Sequence, residues 1–309
     1  MTSVSRQWLA RVRDLGRRVR RDAQGACIVE GVHAVQQAVA AGLSIEAVLV
    51  CPERVRSAEV RDWVRGARAR GSTVVELPAG AFARVARVDH PVALVAVVRW
   101  RPRRLDELPA GDLVVVALDL DDAGNLGTLI RTADAAGAAA VIVGGAGADP
   151  AQRKCLRASL GTAFRLPVAR AGTGAEALAW ARAGGYRTVA TSPGARDSYS
   201  AAHYVSPSAV VFGNERHGLD PASLRACDQR VRIPMRGAAE SLNVGVAAGI
   251  VLFEVRRQID AARAPPCPEG VGSGVAVPSP VVREVPGPAH LGGQEAASRP
   301  SPAGAVTGT

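Results

Sequence analysis

The sequence predicts an α/β protein whose larger part is built on a mostly parallel sheet. Three observations carry that prediction. Val-rich runs recur at Leu113–Leu118, Ala139–Val143 and Ala209–Phe212, separated by stretches of helical periodicity, the pattern of strands buried on both faces. A shorter alternation of the same kind precedes them, between Ala26 and Arg101. Apolar residues make up 48% of the 309, enough for two cores, and after Arg263 the composition changes to Pro, Gly, Ala, Ser and Val without periodicity.

The first 22 residues carry seven arginines: Arg6, Arg11, Arg13, Arg17, Arg18, Arg20 and Arg21. Trp8, Val12, Leu15 and Val19 fall on one helical stripe, and Arg13, Arg17, Arg20 and Arg21 on another. A solvated helix face and a phosphate-tracking edge both fit, the second assigning RNA contacts to Arg17, Arg18, Arg20 and Arg21. Strands follow at Ala26–Glu30, Ile45–Cys51, Thr73–Leu77 and Val92–Arg99, with helices at Gly31–Ala41, Ser57–Arg70 and Ala81–Val88. These form a small α/β layer, in which His33 and His90 are isolated and carry no chemistry. Pro102 and Pro109 mark a linker. The second run has strands at Leu113–Leu118, Ala139–Val143, Phe164–Val168, Tyr186–Thr191, Ala209–Phe212 and Arg230–Pro234, and helices at Asn125–Ala136, Gln152–Leu160 and Ala175–Ala183. A last helix, from Val244 through Phe253, is apolar on nearly every face and so belongs in a large core or between subunits. The expected division is therefore 1–103, 104–263 and a disordered tail over 264–309.

A net charge of +10 points to an anionic partner, nucleic acid first. Only one of the 38 basic residues, Lys154, is a lysine, so codon bias toward arginine is a second source of the charge. Five scattered cysteines without a C-x-x-C pair argue against a disulfide framework or a zinc site and for a reducing interior. No apolar run reaches membrane-spanning length and no signal-peptide core follows the first arginines. Asp14, Asp22 and the scarcity of Ser weigh against a transit peptide, leaving a soluble cytoplasmic protein. There is no phosphate loop of the G-x-x-x-x-G-K-[ST] type, no strand ending in G-x-G-x-x-G, no serine nucleophile elbow and no metal-ligand cluster.

Three stretches remain that can carry chemistry, all at the C-terminal ends of expected strands, where open α/β sheets bind their ligands. Asp119–Ala133 contains Asn125 as a helix cap, a buried stripe of Leu126, Leu129, Ile130 and Ala133, and Arg131 on the other side. Val211–Leu219 runs from a strand into a polar turn bounded by glycines, with Gly213 permitting close approach to a ligand and Glu215 as a partner for an arginine or a helix N-terminus. Val231–Glu254 passes from a strand through Ser241, Leu242 and Asn243 into the last helix.

These stretches, as N-L-G-T-L-I-R-T-A, F-G-N-E-R-H-G-L and I-P-M-R-G-A-A-E-S-L-N-V-x-V-A in this order, resemble the SpoU-type RNA ribose methyltransferases of the SPOUT superfamily. The resemblance covers about Leu113–Ile259, and residues 6–100 resemble more weakly the small substrate-binding domain often found upstream. Two positions depart from it: Ala123, where a proline is frequent, and Gly245, where a serine commonly follows S-L-N-V. The resemblance implies a trefoil-knotted methyltransferase domain preceded by a small α/β substrate-binding domain, a homodimer, and S-adenosylmethionine as methyl donor. It places the cofactor at Gly213, Ile233, Leu242, Asn243 and, less directly, Thr191. It makes Arg131 the catalytic arginine, with Asn125, Glu215, Ser241 and Asn243 the polar groups around it. The expected reaction is methyl transfer to a ribose 2′-hydroxyl, in ribosomal RNA of the large subunit, either for maturation or for antibiotic resistance. A transfer-RNA substrate and a non-catalytic RNA-binding module are the alternatives.

Overall fold

Two sheets organise the chain in the computed structural model, which describes residues 2–86 and 92–263. The expected helix end at Val88, His90 and the tail over 264–309 lie outside the described residues. The elements of the first half are α1 (Ser3–Asp14), α2 (Arg18–Gln24), β1 (Ala26–Glu30), α3 (Val32–Ala40), β2 (Ile45–Val50), α4 (Ala58–Ala69), β3 (Val74–Glu76), α5 (Ala79–Phe82) and β4 (Leu94–Arg99). Their sheet has the order β1-β4-β2-β3, with β4 antiparallel to both of its neighbours and β2 parallel to β3. The single N-terminal helix suggested by the Trp8–Val19 stripe is broken at Gly16, where a Cβ would stand 2.9 Å from the Arg13 carbonyl oxygen. Val12 and Leu15 are buried as expected, but beyond the break the stripe is lost and Val19 is 77% exposed.

The second half contains β5 (Leu113–Leu118), α6 (Ala123–Ala135), β6 (Ala140–Gly144), α7 (Arg153–Ala158), β7 (Val168–Ala171), α8 (Gly174–Ala183), β8 (Arg187–Thr191), β9 (Asp197–Ser198), β10 (Ser208–Phe212), α9 (Pro221–Ala226), β11 (Gln229–Arg232) and α10 (Val244–Arg263). Its seven strands are all parallel, in the order β7-β6-β5-β10-β8-β11-β9. From β5 the chain steps outward through β6 and β7, then crosses to the other side. The β5/β10 boundary is therefore the topological switch point, the crevice where such sheets place a ligand. The strand expected over Phe164–Val168 instead begins at Val168. Thr162–Phe164 closes a 3-10 turn after the left-handed Gly161, and Pro167 has no N–H to offer a ladder.

α10 is not covered all round. Val244, Ala248, Val251, Leu252, Val255 and Ile259 are buried, whereas Val246 and Phe253 are 52% and 53% exposed. The buried side lies along α6, at whose far end Arg256 grips the Ala136 and Gly137 carbonyls (2.9 and 2.7 Å) and the Asp112 carboxylate. One buried core joins the two sheets, running from Cys27, Val29 and Val98 to Leu126, Cys155 and Phe164. At the seam Trp100 meets Phe164 edge-on at 5.7 Å, and Glu30 receives Arg153 and Arg157 at 2.7 and 3.3 Å. The expected linker is anchored as well, because Arg103 pairs with Ala169 beside β7.

Candidate active site

The site starts from the way α6 begins. Asp122, not Asn125, caps this helix: its Oδ1 accepts from the Gly124 and Asn125 N–H groups at 2.7 and 3.0 Å. Asn125 is thereby free to act in the crevice. Its amide Nδ2 donates to Glu215 Oε1 at 2.9 Å, and its Oδ1 accepts from Asn243 Nδ2 at 2.8 Å. Asn243 Oδ1 in turn accepts from the Gly245 N–H at 2.9 Å and so caps α10. Glu215 also accepts from the Asp121 and Asp122 N–H groups, at 2.9 and 3.3 Å. The three motifs, 118 residues apart at their extremes, thus meet in one hydrogen-bonded chain.

Burial pushes the Glu215 carboxyl up, but the bonds donated by Asn125 and by the backbone N–H groups of Asp121, Glu215 and Asp122 outweigh it. The group is held below the ordinary glutamate range. An ionised carboxylate only accepts, so it fixes which end of the Asn125 amide faces it, and Asn125 then fixes Asn243. The turn carrying Glu215 is itself rigid. Asn214 Nδ2 donates to the Asp119 carbonyl at 2.8 Å, and its Oδ1 accepts from the N–H groups of Arg216 and His217. Asp119, left-handed at φ 53°, accepts from the Ala146 N–H, tying the β5 loop to the β6 loop.

Arg131 lies two turns along α6, exposed, its guanidinium with no hydrogen bond or ion pair to any described residue. Ser241 is exposed and equally without a partner among the described residues. Gly213 and Ile233 follow β10 and β11, and Thr191 is the last residue of β8 between them, so the three lie at the C-terminal ends of neighbouring strands. Thr191 spends its hydroxyl on the Val211 carbonyl at 3.0 Å, so only its backbone faces this end. Ile233 is half-buried and Leu242 is 39% exposed. These positions offer apolar surface and backbone groups, a set that suits the flat face and polar rim of an adenine nucleoside.

The arginines assigned to RNA divide. Arg17 and Arg20 are exposed, and Arg18 is half-buried with Asp22 at 3.9 Å. Arg21 is 6% exposed and bonds Asp149 through both Nε and Nη2 (3.0 and 2.5 Å) and the Leu15 carbonyl. It is spent on a structural ion pair and must be removed from the RNA-contacting set. Asp119, Asp122, Asn214 and Lys154 were not singled out from the sequence. D-D-A-G ahead of the helical run was a readable cap signal. Lys154, whose ammonium sits on Asp122, was visible as the only lysine of the chain.

Fold and site define an α/β protein in which three distant motifs are hydrogen-bonded together at the switch point of a parallel sheet. Known proteins of this build narrow the class. The model of the SpoU rRNA methylase family matches residues 112–253, and that of the MRM3-like substrate binding domain matches residues 9–96. A 23S rRNA (uridine(2479)-2'-O)-methyltransferase from Streptomyces viridochromogenes is 33% identical over 82% of this chain and 88% of its own. The 23S rRNA (guanosine(2553)-2'-O)-methyltransferase RlmP of Bacillus subtilis is 31% identical over 74% and 88%. Among solved structures, the SpoU methyltransferase AviRb from Streptomyces viridochromogenes in complex with AdoMet superposes with a TM-score of 0.73 at 32% identity, covering 84% of this chain and 98% of that one. The AdoMet-bound rRNA methyltransferase from Sinorhizobium meliloti gives 0.72 at 34% identity, over 83% and 97%. The chain belongs to the SpoU methylase family.

Proposed function

We infer that this protein transfers the methyl group of S-adenosylmethionine to a ribose 2′-hydroxyl of large-subunit ribosomal RNA in the cytoplasm. The observation that carries this reading is the Glu215–Asn125–Asn243 chain, with the exposed guanidinium of Arg131 further along the same helix, in a chain similar over most of its length to two 23S rRNA 2'-O-methyltransferases. Residues 1–103 would recognise the RNA and residues 104–263 would perform the transfer, with α10 threaded through a trefoil knot as its relatives' family implies.

The bound cofactor would supply an electrophilic methyl group on sulfur. Gly213, Ile233, Leu242 and Asn243, with the backbone of Thr191, are the residues to hold it. A ribose hydroxyl is a weak nucleophile, so the protein must align it and help it lose its proton. Arg131 has the free bidentate fork to grip an adjacent phosphate and polarise the hydroxyl. Its planar guanidinium serves first to orient the substrate and to stabilise charge. Ser241 would contact substrate at the mouth of α10. Arg17, Arg18 and Arg20 would meet the RNA backbone.

Arg131→Ala is expected to lower methyl transfer at least about a hundredfold, within the range of a lost transition-state charge contact, while leaving S-adenosylmethionine binding within a factor of two. Incubation with labelled cofactor and separated ribosomal and transfer RNA, followed by mapping of the 2′-O-methyl, checks both the reaction and the substrate. Undiminished transfer by the variant would end the proposed role. The exposed apolar side of α10, with Val246 and Phe253, supports a homodimer. Phe253→Asp should then shift sedimentation from dimer to monomer.

A further inference from the structure

Arg216 and His217 follow Glu215 at the tip of its turn, and neither side chain takes part in the hydrogen-bonded chain that Glu215 begins. The tip is a closed frame. Asn214 and Gly218 exchange both backbone bonds, at 3.0 and 2.9 Å, and Asn214 Oδ1 takes the N–H groups of Arg216 and His217 at 2.9 and 3.1 Å. Gly218 turns the chain at φ 68°, and a Cβ on Gly213 would stand 2.5 Å from the Gly218 carbonyl carbon, so only glycine lets the two ends approach this closely. The Asn214 amide fastens the frame to the Asp119 carbonyl at 2.8 Å, and the Glu215 carboxylate fastens it to the Asp121 and Asp122 N–H groups. With these backbone donors spent, what the tip offers a partner is the guanidinium of Arg216 and the imidazole of His217. Both residues are exposed, and among the described residues neither side chain has a hydrogen bond or an ion pair.

That freedom is unexpected from the charge around it. Asp119, Asp121, Asp122 and Glu215 gather four carboxylates on the loops at this end of the crevice. Asp122 is answered by Lys154, and Glu215 by Asn125 and backbone N–H groups. Asp121 is exposed, and its N–H lies 2.9 Å from the carboxylate of the residue next to Arg216, yet the guanidinium does not pair with it. An RNA strand carries a negative charge at every nucleotide, so a ribose brought to Asn125 and Glu215 meets repulsion that a cation at the mouth must offset. We propose that Arg216 is an RNA-contact residue, whose guanidinium holds a backbone phosphate of the strand that bears the methylated ribose, with His217 flanking it. A guanidinium presents two parallel N–H groups to a phosphate, and a frame fixed beforehand loses little freedom when the strand arrives. Position argues for the contact as much as charge does. Arg216 is the chain neighbour of Glu215, about 3.8 Å away between Cα atoms, so a strand gripped there lies against the site.

The proposal rests on the RNA methyltransferase reading, and its test separates the two. Arg216→Ala should leave the melting temperature, sedimentation and S-adenosylmethionine affinity as in wild type, because the side chain holds nothing inside the protein. Affinity for protein-free large-subunit ribosomal RNA should fall about tenfold, as for one lost charge-assisted contact, with KM for that RNA rising in step and kcat nearly unchanged. The dependence of log affinity on log salt should flatten by about 0.7–0.9, the counterion released by one phosphate contact. Arg216→Lys keeps the charge and should keep the wild-type slope while recovering only part of the affinity, because an ammonium lacks the paired fork. Unchanged RNA affinity in Arg216→Ala would overturn the proposal, and so would lost affinity with an unchanged salt slope, which marks a base contact. A lower melting temperature or weaker cofactor binding would overturn it too, making Arg216 part of the turn's own structure. Those results leave the parent reading intact as long as wild type methylates the RNA. Wild type that binds the RNA without transferring methyl overturns the methyltransferase reading alone, and the affinity and salt comparison still judges Arg216.

Discussion

Glu215 shows how much one ionised side chain orders. It accepts from Asn125 and from the Asp121 and Asp122 N–H groups, and its charge sets the sense of the amide chain that ends at the cap of α10. Its carboxyl is held below the ordinary value of 4.5. A depressed folded-state pKa contributes stability that is fully present above the unfolded value and is lost as pH falls through the folded one. The difference in urea midpoint between wild type and Glu215→Gln should therefore be widest above about pH 4.5 and close at lower pH. A difference that stays constant down to pH 3 would mean that the charge of Glu215 does not hold the motifs together. Methyl transfer in the variant should fall over the whole pH range, because a glutamine can turn either end of its amide toward Asn125.

At the scale of elements, Gly245 explains a departure that motif matching left open. A Cβ at this position would stand 2.5 Å from Thr128 Cγ2 and 3.2 Å from Asn243 Oδ1, so the close approach of α10 to α6 requires glycine as long as residue 128 is threonine. Gly245→Ser should destabilise the fold by about 1–3 kcal/mol through overpacking. Thr128→Ala should restore most of that in the double variant, a coupling that a thermodynamic cycle in urea detects. Additive losses would place the constraint elsewhere. Pairwise fits of this kind were not legible in the sequence, whereas the elements themselves largely were. The strands β5 and β10 are Val-rich and, like β1, buried on both faces, and their apolar runs announce them within a residue or two. The errors fell where side chains compete with the backbone. Asp122 took the cap assigned to Asn125, and Asp220 with Pro221 starts α9, a helix of six residues too short to produce periodicity.

For the whole molecule, the telling case is the arginine run of the first helices. In the sequence Arg17, Arg18, Arg20 and Arg21 are interchangeable. Only the fold separates them, by bringing Asp149 from 128 residues away onto Arg21. Asp149 is 1% exposed and also receives Arg170, which reaches Asp22 of α2 at 2.9 Å. Burial raises this carboxyl, and the bonds from Arg21 and the Ala151 N–H, with the charges of Arg170 and Arg21, bring it below the ordinary range. The network thus joins α2 to the loop after β6, whose Ala146 N–H holds Asp119 beside the turn that carries Glu215. Asp149→Asn would leave Arg21 without its counter-charge at a buried site, and Arg170 with Asp22 alone, at a cost of about 3–5 kcal/mol. The double substitution Arg17→Ala with Arg20→Ala should instead leave the urea midpoint within about 0.5 kcal/mol of wild type. That variant should lose RNA affinity and show a flatter dependence on salt, because each phosphate contact removed releases one counterion fewer. If Asp149→Asn flattened the salt dependence and spared stability, Arg21 would be a phosphate ligand after all. The opposite pair of results would establish that adjacent arginines on one short helix serve separate tasks, Arg21 fastening the two sheets and its exposed neighbours meeting the RNA.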